Sequence, residues 1–501
     1  MTPAARHSAT SEAAPQDAAV IDIGSNSVRL VLYRLEGRAI WTIFNEKVLA
    51  GLGRDLAVTG KLSPEGSAAA LAAIRRFRAV LDAVKPAQTF VAATAAVRDA
   101  TDGPDFLRRI KAEADFTVRL LSGEEEGRYA ALGVLAGDPT SQGAVGDLGG
   151  ASLELTRLGA TGAGDAVSLP LGPFSLGLTQ SFDYGRVRKA VDAVLAPVTK
   201  RFRTTDFHAV GGAWRNLALM HMRMSGYPLQ LVHQYEMTRA EALGAARFVA
   251  SQSKESLERI PGVSKKRAET MPYAAVVLEA LIERLNVQTV ALSAFGLREG
   301  LLFEAMPPKI RMLDPLVEGC ATLGVHDFDD TLESALEAWV APAFATLPPL
   351  FGDRDPVLLA AACRLGNLGA RLHPDHRADL VFEQVLRAPV AGMNHAERGF
   401  LAAASYARHS GTFNPPEPET LARILSPERT RRARALGAAI RLGSDLSGRS
   451  APLLGRSHLT IDKGTVRLSA EQGWADMLLG EQTAKRAGTL AQVLGLKLQI
   501  S

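Results

Sequence analysis

The stretch Ala19–Leu30, AVIDIGSNSVRL, is written almost a second time at Ala144–Leu155, AVGDLGGASLEL. The two copies agree at Ala19/Ala144, Val20/Val145, Asp22/Asp147, Gly24/Gly149, Ser27/Ser152 and Leu30/Leu155, at a constant offset of 147 − 22 = 125. Each copy reads as apolar strand, Asp, apolar residue, Gly, small polar residues, Ser, second strand. Small residues after a buried strand let the backbone turn tightly and bring several N–H groups close to a ligand. Such a concave run of amides suits an anion. The Asp at the strand end can hold a divalent cation or its water shell. A duplication kept only for packing would preserve the apolar positions without needing both Asp and Ser. Two copies facing each other would line a cleft fit for a phosphate chain.

Outward from the first copy, β-rich and helical stretches alternate. SPEGSAAALAAIRRFRAVLDAV predicts a helix capped by Ser63 with Pro64 at its first position. TFVAAT reads as a strand, GPDFLRRIKAEA as a helix, FTVRLLS as a strand and GEEEGRYAALGVLAG as a helix. The pattern restarts at the second copy and continues through HAVGGAWRNLALMHM to TVALSAFGLREGLLFEAM. This alternation is the mark of an α/β fold. After Pro307-Pro308 the composition turns to helix-forming Ala, Leu and Arg, and SHLTIDKGTVRLSA closes the chain as a strand pair turning at DKG. The expected division is a disordered leader over 1–17, α/β domains over 18–136 and 137–308, and a helical region over 309–501.

The chain has 501 residues, 47% of them hydrophobic, and a formal net charge of only +4. That length suits several domains, and any useful basic surface must be local. Two cysteines, Cys320 and Cys363, exclude a disulfide framework and a four-thiolate zinc site. The first residues lack the order of a secretory signal, and no apolar run is long enough to span a bilayer. A cytoplasmic protein without a membrane partner is expected. Gly60-Lys61 is followed by Leu62, and Asp55 stands where a P-loop would need its first glycine, which argues against a Walker-type nucleotide site.

DIGSNSVRL and DLGGASLEL resemble the two phosphate loops of the exopolyphosphatase / guanosine pentaphosphatase (Ppx/GppA) family. ATAAVRDA (93–100), LSGEEEGRYAALGV (121–134), LPLG (169–172), VGGAWRNLA (210–218), RAETMPYAAVVLEAL (267–281) and GLREGLL (296–302) follow in the family's order. The resemblance covers roughly residues 18 to 305. It implies two actin-like (ribonuclease H-like) domains of the actin, sugar-kinase and chaperone superfold with a cleft between them. Within that frame Glu126 is the implied catalytic carboxylate, a general base for water. Asp147 and Glu154 would handle Mg²⁺ and water, with Asp22 sharing the metal or orienting its loop. Arg98 would contact phosphate. Gly24, Ser25, Asn26 and Ser27 on one loop, and Gly149, Gly150, Ala151 and Ser152 on the other, would bind phosphate. Glu124 and Glu125 read as an ordinary charge cluster at a helix start. Two residues depart from the family pattern: Ala151 replaces a glycine, tolerable unless φ must be positive, and Leu153 replaces a threonine. Trp214 in VGGAWRNLA reads as packing rather than as a base platform.

In longer members of the family the C-terminal region resembles a metal-dependent HD fold. Here Gly366-Asn367 stands where its His-Asp pair would be, so an HD-like fold that has lost its metal site is expected. His373, Asp375, His376, His395 and His409 then read as surface or capping residues. Arg431, Arg432 and Arg434, in ERTRRARALGAAIRL, form a candidate track for polyphosphate. Few aromatics stand nearby, which argues against single-stranded nucleic acid. The expected activity is end-wise hydrolysis of inorganic polyphosphate by a homodimer. The sister reaction on guanosine pentaphosphate, a kinase of the same superfold and a non-catalytic polyphosphate or alarmone sensor are the rivals.

Overall fold

The first copy of the repeat opens a five-stranded sheet. Its strands are β1 (Gln16–Ile23), β2 (Val28–Glu36), β3 (Ala39–Val48), β4 (Gln88–Ala93) and β5 (Arg119–Leu120), in the order β3-β2-β1-β4-β5. β1 runs antiparallel to β2 and parallel to β4, which is parallel to β5. The second copy opens a six-stranded sheet of β6 (Gly143–Leu148), β7 (Leu153–Gly159), β8 (Gly162–Leu169), β9 (Asp206–Val210), β10 (Tyr235–Thr238) and β11 (Thr289–Leu292), ordered β10-β11-β9-β6-β7-β8. Counted from its own hairpin, the second sheet repeats the order of the first and adds β10 at the edge. The sequence duplication is therefore a duplication of topology. The computed structural model describes residues 14–159, 162–177, 181–260, 263, 265–324 and 331–501, so most of the expected leader, 1–13, lies outside it; β1 already begins at Gln16.

These strands belong to one of two compact units, Ala14–Glu36 with Ile40–Arg311; the other is Met312–Ser501 with the short stretch Gly37–Ala39. In the first unit, the helix Pro64–Val84 starts where the cap predicts, with Ser63 accepting from the Gly66 N–H. Its Leu71, Ile74 and Phe77 join Ile21, Ile23 and Leu30 in the core on one face of the first sheet. The strand expected from FTVRLLS shrinks to the two residues of β5, because Phe116 and Leu121 instead turn into two different cores.

The helix Gly123–Gly137 holds the two sheets together. Its Tyr129 and Ala136 pack with Val20, Val31 and Leu301, while its Ala130, Ala131 and Val134 pack with Val145, Leu158 and Val210. The helix Leu297–Ala305 crosses it very closely. A Cβ on Gly133 would lie 2.0 Å from the Gly296 carbonyl oxygen, and one on Gly300 would lie 1.9 Å from that of Tyr129. Only glycine permits this crossing.

The second unit is mostly helical. Its longest helices, His395–His409 and Pro427–Leu446, pack against each other. The expected strand pair is present as β12 (Ser457–Asp462) and β13 (Thr465–Ala470), joined by a parallel β14 (Lys497–Ile500) that the sequence reading did not anticipate. Among the described residues, no helix is long and apolar enough to cross a membrane.

Candidate active site

The two hairpin loops are built alike, bond for bond. Gly24 N–H donates to the Ser27 carbonyl at 3.0 Å, and Gly149 N–H to that of Ser152 at 2.9 Å. The Ser25 and Asn26 carbonyls accept from Gly53 and Gly51, while the Gly150 and Ala151 carbonyls accept from Phe174 and Gly172. Each loop is thus pinned through its carbonyls by the segment behind it. Neither loop contains a residue of positive φ. The glycines serve close approach rather than left-handed backbone, and Ala151 fits without strain. A cleft of about 190 Å³ is lined by Gly24, Ser25, Asn26 and Ser27 of one loop and by Gly149, Gly150 and Ser152 of the other. Ala151 lines a neighbouring hollow instead.

The cross-strand partner of the Asp differs between the copies. Asp22 lies opposite Arg29, whereas Asp147 lies opposite Glu154. The first hairpin balances its charge, and the second concentrates acid. Glu126 adds a third carboxylate from the first turn of Gly123–Gly137 and is only 7% exposed. Burial raises the Glu126 carboxyl well above the usual range; Glu154 and Asp147 add to the rise and Arg98 opposes it. Glu154, 3% exposed, is also raised, by burial first and by Asp147, while hydrogen bonds from Ser152 and Ser168 restrain it. Asp147 is pushed up to about 6 by burial, against the pull of Arg215 and Arg298. Three carboxylates so arranged resist simultaneous ionisation.

Arg98 is placed differently from the sequence expectation. Its Nη1 donates to Glu126 Oε1 at 2.5 Å and to the Leu121 carbonyl at 2.9 Å, and its Nε to Asp99 at 3.0 Å. It lines the neighbouring hollow with Ala151 and Asp99, its guanidinium bridging the exposed Asp99 and the buried Glu126 at the cleft. Glu125 completes a capping box with Ser122 and pairs with Arg119.

The cations of the cleft are ones the sequence reading did not single out. Arg29, Lys47, Arg215, Arg267 and Arg298 all line it. They come from β2, β3, the helix Gly212–Met224, the segment before the helix Met271–Leu285, and the helix Leu297–Ala305. They crowd one another: burial and then Arg267, Arg29, Arg215 and Arg298 push the Lys47 ammonium down to about 7. Arg298 Nη1 reaches Asp22 at 3.5 Å, yet its buried Nε has no hydrogen-bond partner. Four of the five stand inside the quoted motifs DIGSNSVRL, VGGAWRNLA, RAETMPYAAVVLEAL and GLREGLL; Lys47 carries no local signal. Trp214 is fully buried, with its Nε1–H on the Ala274 carbonyl and its ring edge-to-face with Phe207.

Among the described residues, no three His, Cys, Asp or Glu side chains form a metal site by themselves. The cross-strand pair Asp147/Glu154, with raised carboxyls and a cleft in front, fits a cation that takes its remaining ligands from phosphate and water, as Mg²⁺ commonly does. In the second unit His373, Asp375 and His376 are exposed, His395 is buried at a helix start, and His409 bonds the Leu368 carbonyl. Arg431 and Arg434 line a pocket there, while Arg432 donates to the Pro348 carbonyl.

A phosphate-handling cleft between duplicated α/β lobes is the class that the fold and the site define. The profile of the Ppx/GppA phosphatase family matches residues 30–309, and that of the exopolyphosphatase C-terminal region matches 338–501. The chain belongs to the Ppx/GppA phosphatase family. Among solved structures, the Aquifex aeolicus Ppx/GppA family member is 25% identical, with TM-score 0.51, covering 58% of this chain and 97% of that one. A second structure, of the Aquifex aeolicus PPX-GPPA enzyme, is 26% identical, with TM-score 0.51, covering 58% and 99%. An exopolyphosphatase from Cytophaga hutchinsonii, 22% identical with TM-score 0.54 over 57% and 97%, shares the fold.

Proposed function

We propose that this phosphatase is an exopolyphosphatase, releasing terminal phosphate processively from inorganic polyphosphate. The observation that carries the reading is one cleft lined by three carboxyls that burial raises, Glu126, Asp147 and Glu154, beside five basic side chains. The cations and loop amides hold the chain end and offset charge that grows on its oxygens. Glu126 takes a proton from water as the water oxygen bonds to the terminal phosphorus. The bond from that phosphorus to the bridging oxygen breaks, giving orthophosphate and a chain one unit shorter. Arg98 acts through Glu126, fixing the direction of its carboxylate. Asp147 and Glu154 would hold Mg²⁺, which when bound supplies positive charge to phosphate oxygens and eases ionisation of the carboxylates. The fully packed Trp214 leaves no base platform at that turn, which disfavours a kinase.

The surplus of cations also suits guanosine pentaphosphate, whose phosphates extend in two directions; this is the second reading. The test is phosphate release with Mg²⁺ from long polyphosphate and from guanosine pentaphosphate, for wild type and Glu126→Gln. Consumption of polyphosphate from its end, lost in the variant, is expected. Hydrolysis of the guanosine compound alone would replace the substrate. Binding of polyphosphate without release of phosphate from either would make the protein a sensor.

A further inference from the structure

Lys47, half-buried on β3, is the one lysine among the described residues that line the cleft of about 190 Å³. The neighbours that act on its charge are Arg267, Arg29, Arg215 and Arg298, and no carboxylate stands among them. Those guanidiniums are held in place. Arg267 lies over Gly212, where a Cβ would fall 2.1 Å from its Nη1. Arg215 Nε donates to the Gly211 carbonyl at 3.3 Å, Arg298 Nη1 reaches Asp22 at 3.5 Å, and Arg29 stands across from Asp22 on β2. Lys47 therefore sits among cations with no acid to keep it protonated. Burial first, and then those four arginines, bring its ammonium from the usual 10.5 down to about 7.

An amine that is neutral near pH 7 is a nucleophile, and cationic neighbours are one means of making it so. Here the amine shares its cavity with two loops and four guanidiniums suited to a phosphoryl group. An acyl phosphate carries such a group on its leaving side, with the electrophilic carbonyl carbon one oxygen away. Arginines that seat the phosphoryl group also stabilise the charge that collects on it as it departs. We propose that Lys47 is an acylation site for acyl phosphates: a reagent seated in the cleft by its phosphoryl group transfers its acyl group to Lys47 Nζ. The nitrogen lone pair bonds to the carbonyl carbon, and the bond from that carbon to the bridging oxygen breaks. Orthophosphate leaves, taking the proton that the nitrogen gives up. The amide so formed carries no charge. It removes a basic group from the cleft and fills part of its volume, so acylation turns phosphate release down. The inference rests on the phosphate-holding part of the proposed function, and not on which phosphoanhydride is cleaved.

The test incubates the full-length Glu126→Gln protein with acetyl phosphate and a chelator, so that turnover is blocked, and quantifies acetylated lysines by peptide mass spectrometry. A bound phosphoryl group pulls the Lys47 ammonium upward, so the reaction is run at about pH 8.5, where an ordinary lysine is still almost wholly protonated. Lys111, exposed and paired with Asp115, is the internal reference. Lys47 should be acetylated at least about tenfold faster than Lys111. Inorganic tripolyphosphate should protect Lys47 alone, and the lead of Lys47 should shrink with acetic anhydride, which offers no phosphoryl group. Equal rates at the two lysines would overturn the proposal, as would a lead that tripolyphosphate leaves unchanged or that acetic anhydride reproduces in full. Wild-type protein so treated, desalted and given Mg²⁺ should release phosphate about tenfold more slowly, while Lys47→Arg protein treated alike should keep its own untreated rate. An equal loss in both would place the damage elsewhere and overturn the regulation. A protected lead at Lys47 in a protein that releases no phosphate even untreated would sink the proposed activity and keep this site.

Discussion

Glu126 is where one residue carries the most consequence. Glu126→Gln keeps shape and hydrogen bonding but cannot accept the proton. Phosphate release should fall by about 10² to 10⁴, with binding retained, as steady-state rates and calorimetry would check. Asp147 tests the electrostatics. Its folded carboxyl titrates at about 6, above the ordinary 3.8. The folded state therefore holds the proton more tightly, and stability falls as pH rises from about 4 through about 6. The cost at neutral pH is at most about 3 kcal/mol, less to the extent that the cleft admits water. In metal-free protein, Asp147→Asn should flatten that slope in urea titrations and raise the neutral-pH midpoint, while phosphate release is lost. Lys47 works in the opposite sense. With its ammonium at about 7, a bound polyanion favours the proton, so affinity should fall as pH rises through 7. Lys47→Met should weaken binding below pH 7 and remove that part of the slope; an unchanged pH profile would refute the role given to Lys47.

At the scale of elements, the site depends on how closely two helices cross. Gly123–Gly137 carries Glu126, and Leu297–Ala305 carries Arg298. Their crossing presses Gly133 against the Gly296 carbonyl and Gly300 against that of Tyr129. Each contact is with backbone, which has little room to yield. Gly133→Ala or Gly300→Ala should each cost about 3 kcal/mol or more, seen as a drop in urea midpoint together with loss of activity. Gly244→Ala is the control. Gly244 lies in the helix Arg239–Ala250, and nothing stands within 4 Å of where an alanine methyl would sit, so alanine there should stabilise by up to about 1 kcal/mol. Several of these elements could be read directly. The helix Gly103–Ala114 and the hairpin loops follow the sequence closely, since caps, prolines and turn residues act within a few positions. β3, β8 and β10 could not, since edge strands carry mixed patterns and gain their pairing from neighbours distant in the chain.

For the molecule as a whole, charge is distributed by unit rather than by net count. A chain of only +4 holds five cations in its cleft and an arginine-lined pocket in Met312–Ser501. Polyphosphate affinity should therefore fall steeply with salt, as for other linear polyanions. Arg431→Gln with Arg434→Gln should reduce the log–log slope by roughly 1 to 1.5 if both neutralise the chain, and raise KM for long chains more than for short ones. An identical slope would remove those arginines from the polymer's path. The sequence alone determined the duplicated hairpin, with its Asp, Gly and Ser in register, and set Asp147 and Glu154 on either side of its second turn, while Glu126 was singled out by the family resemblance. Periodicity, turn chemistry and repeats are local, and they survive without knowledge of the fold. Only the tertiary structure decided that Arg98 turns to Glu126. It alone gathered Arg29, Lys47, Arg215, Arg267 and Arg298 on one cleft, and it alone raised the carboxyls. Those outcomes depend on burial and on distances between charges far apart in sequence, and no local pattern in the chain encodes either.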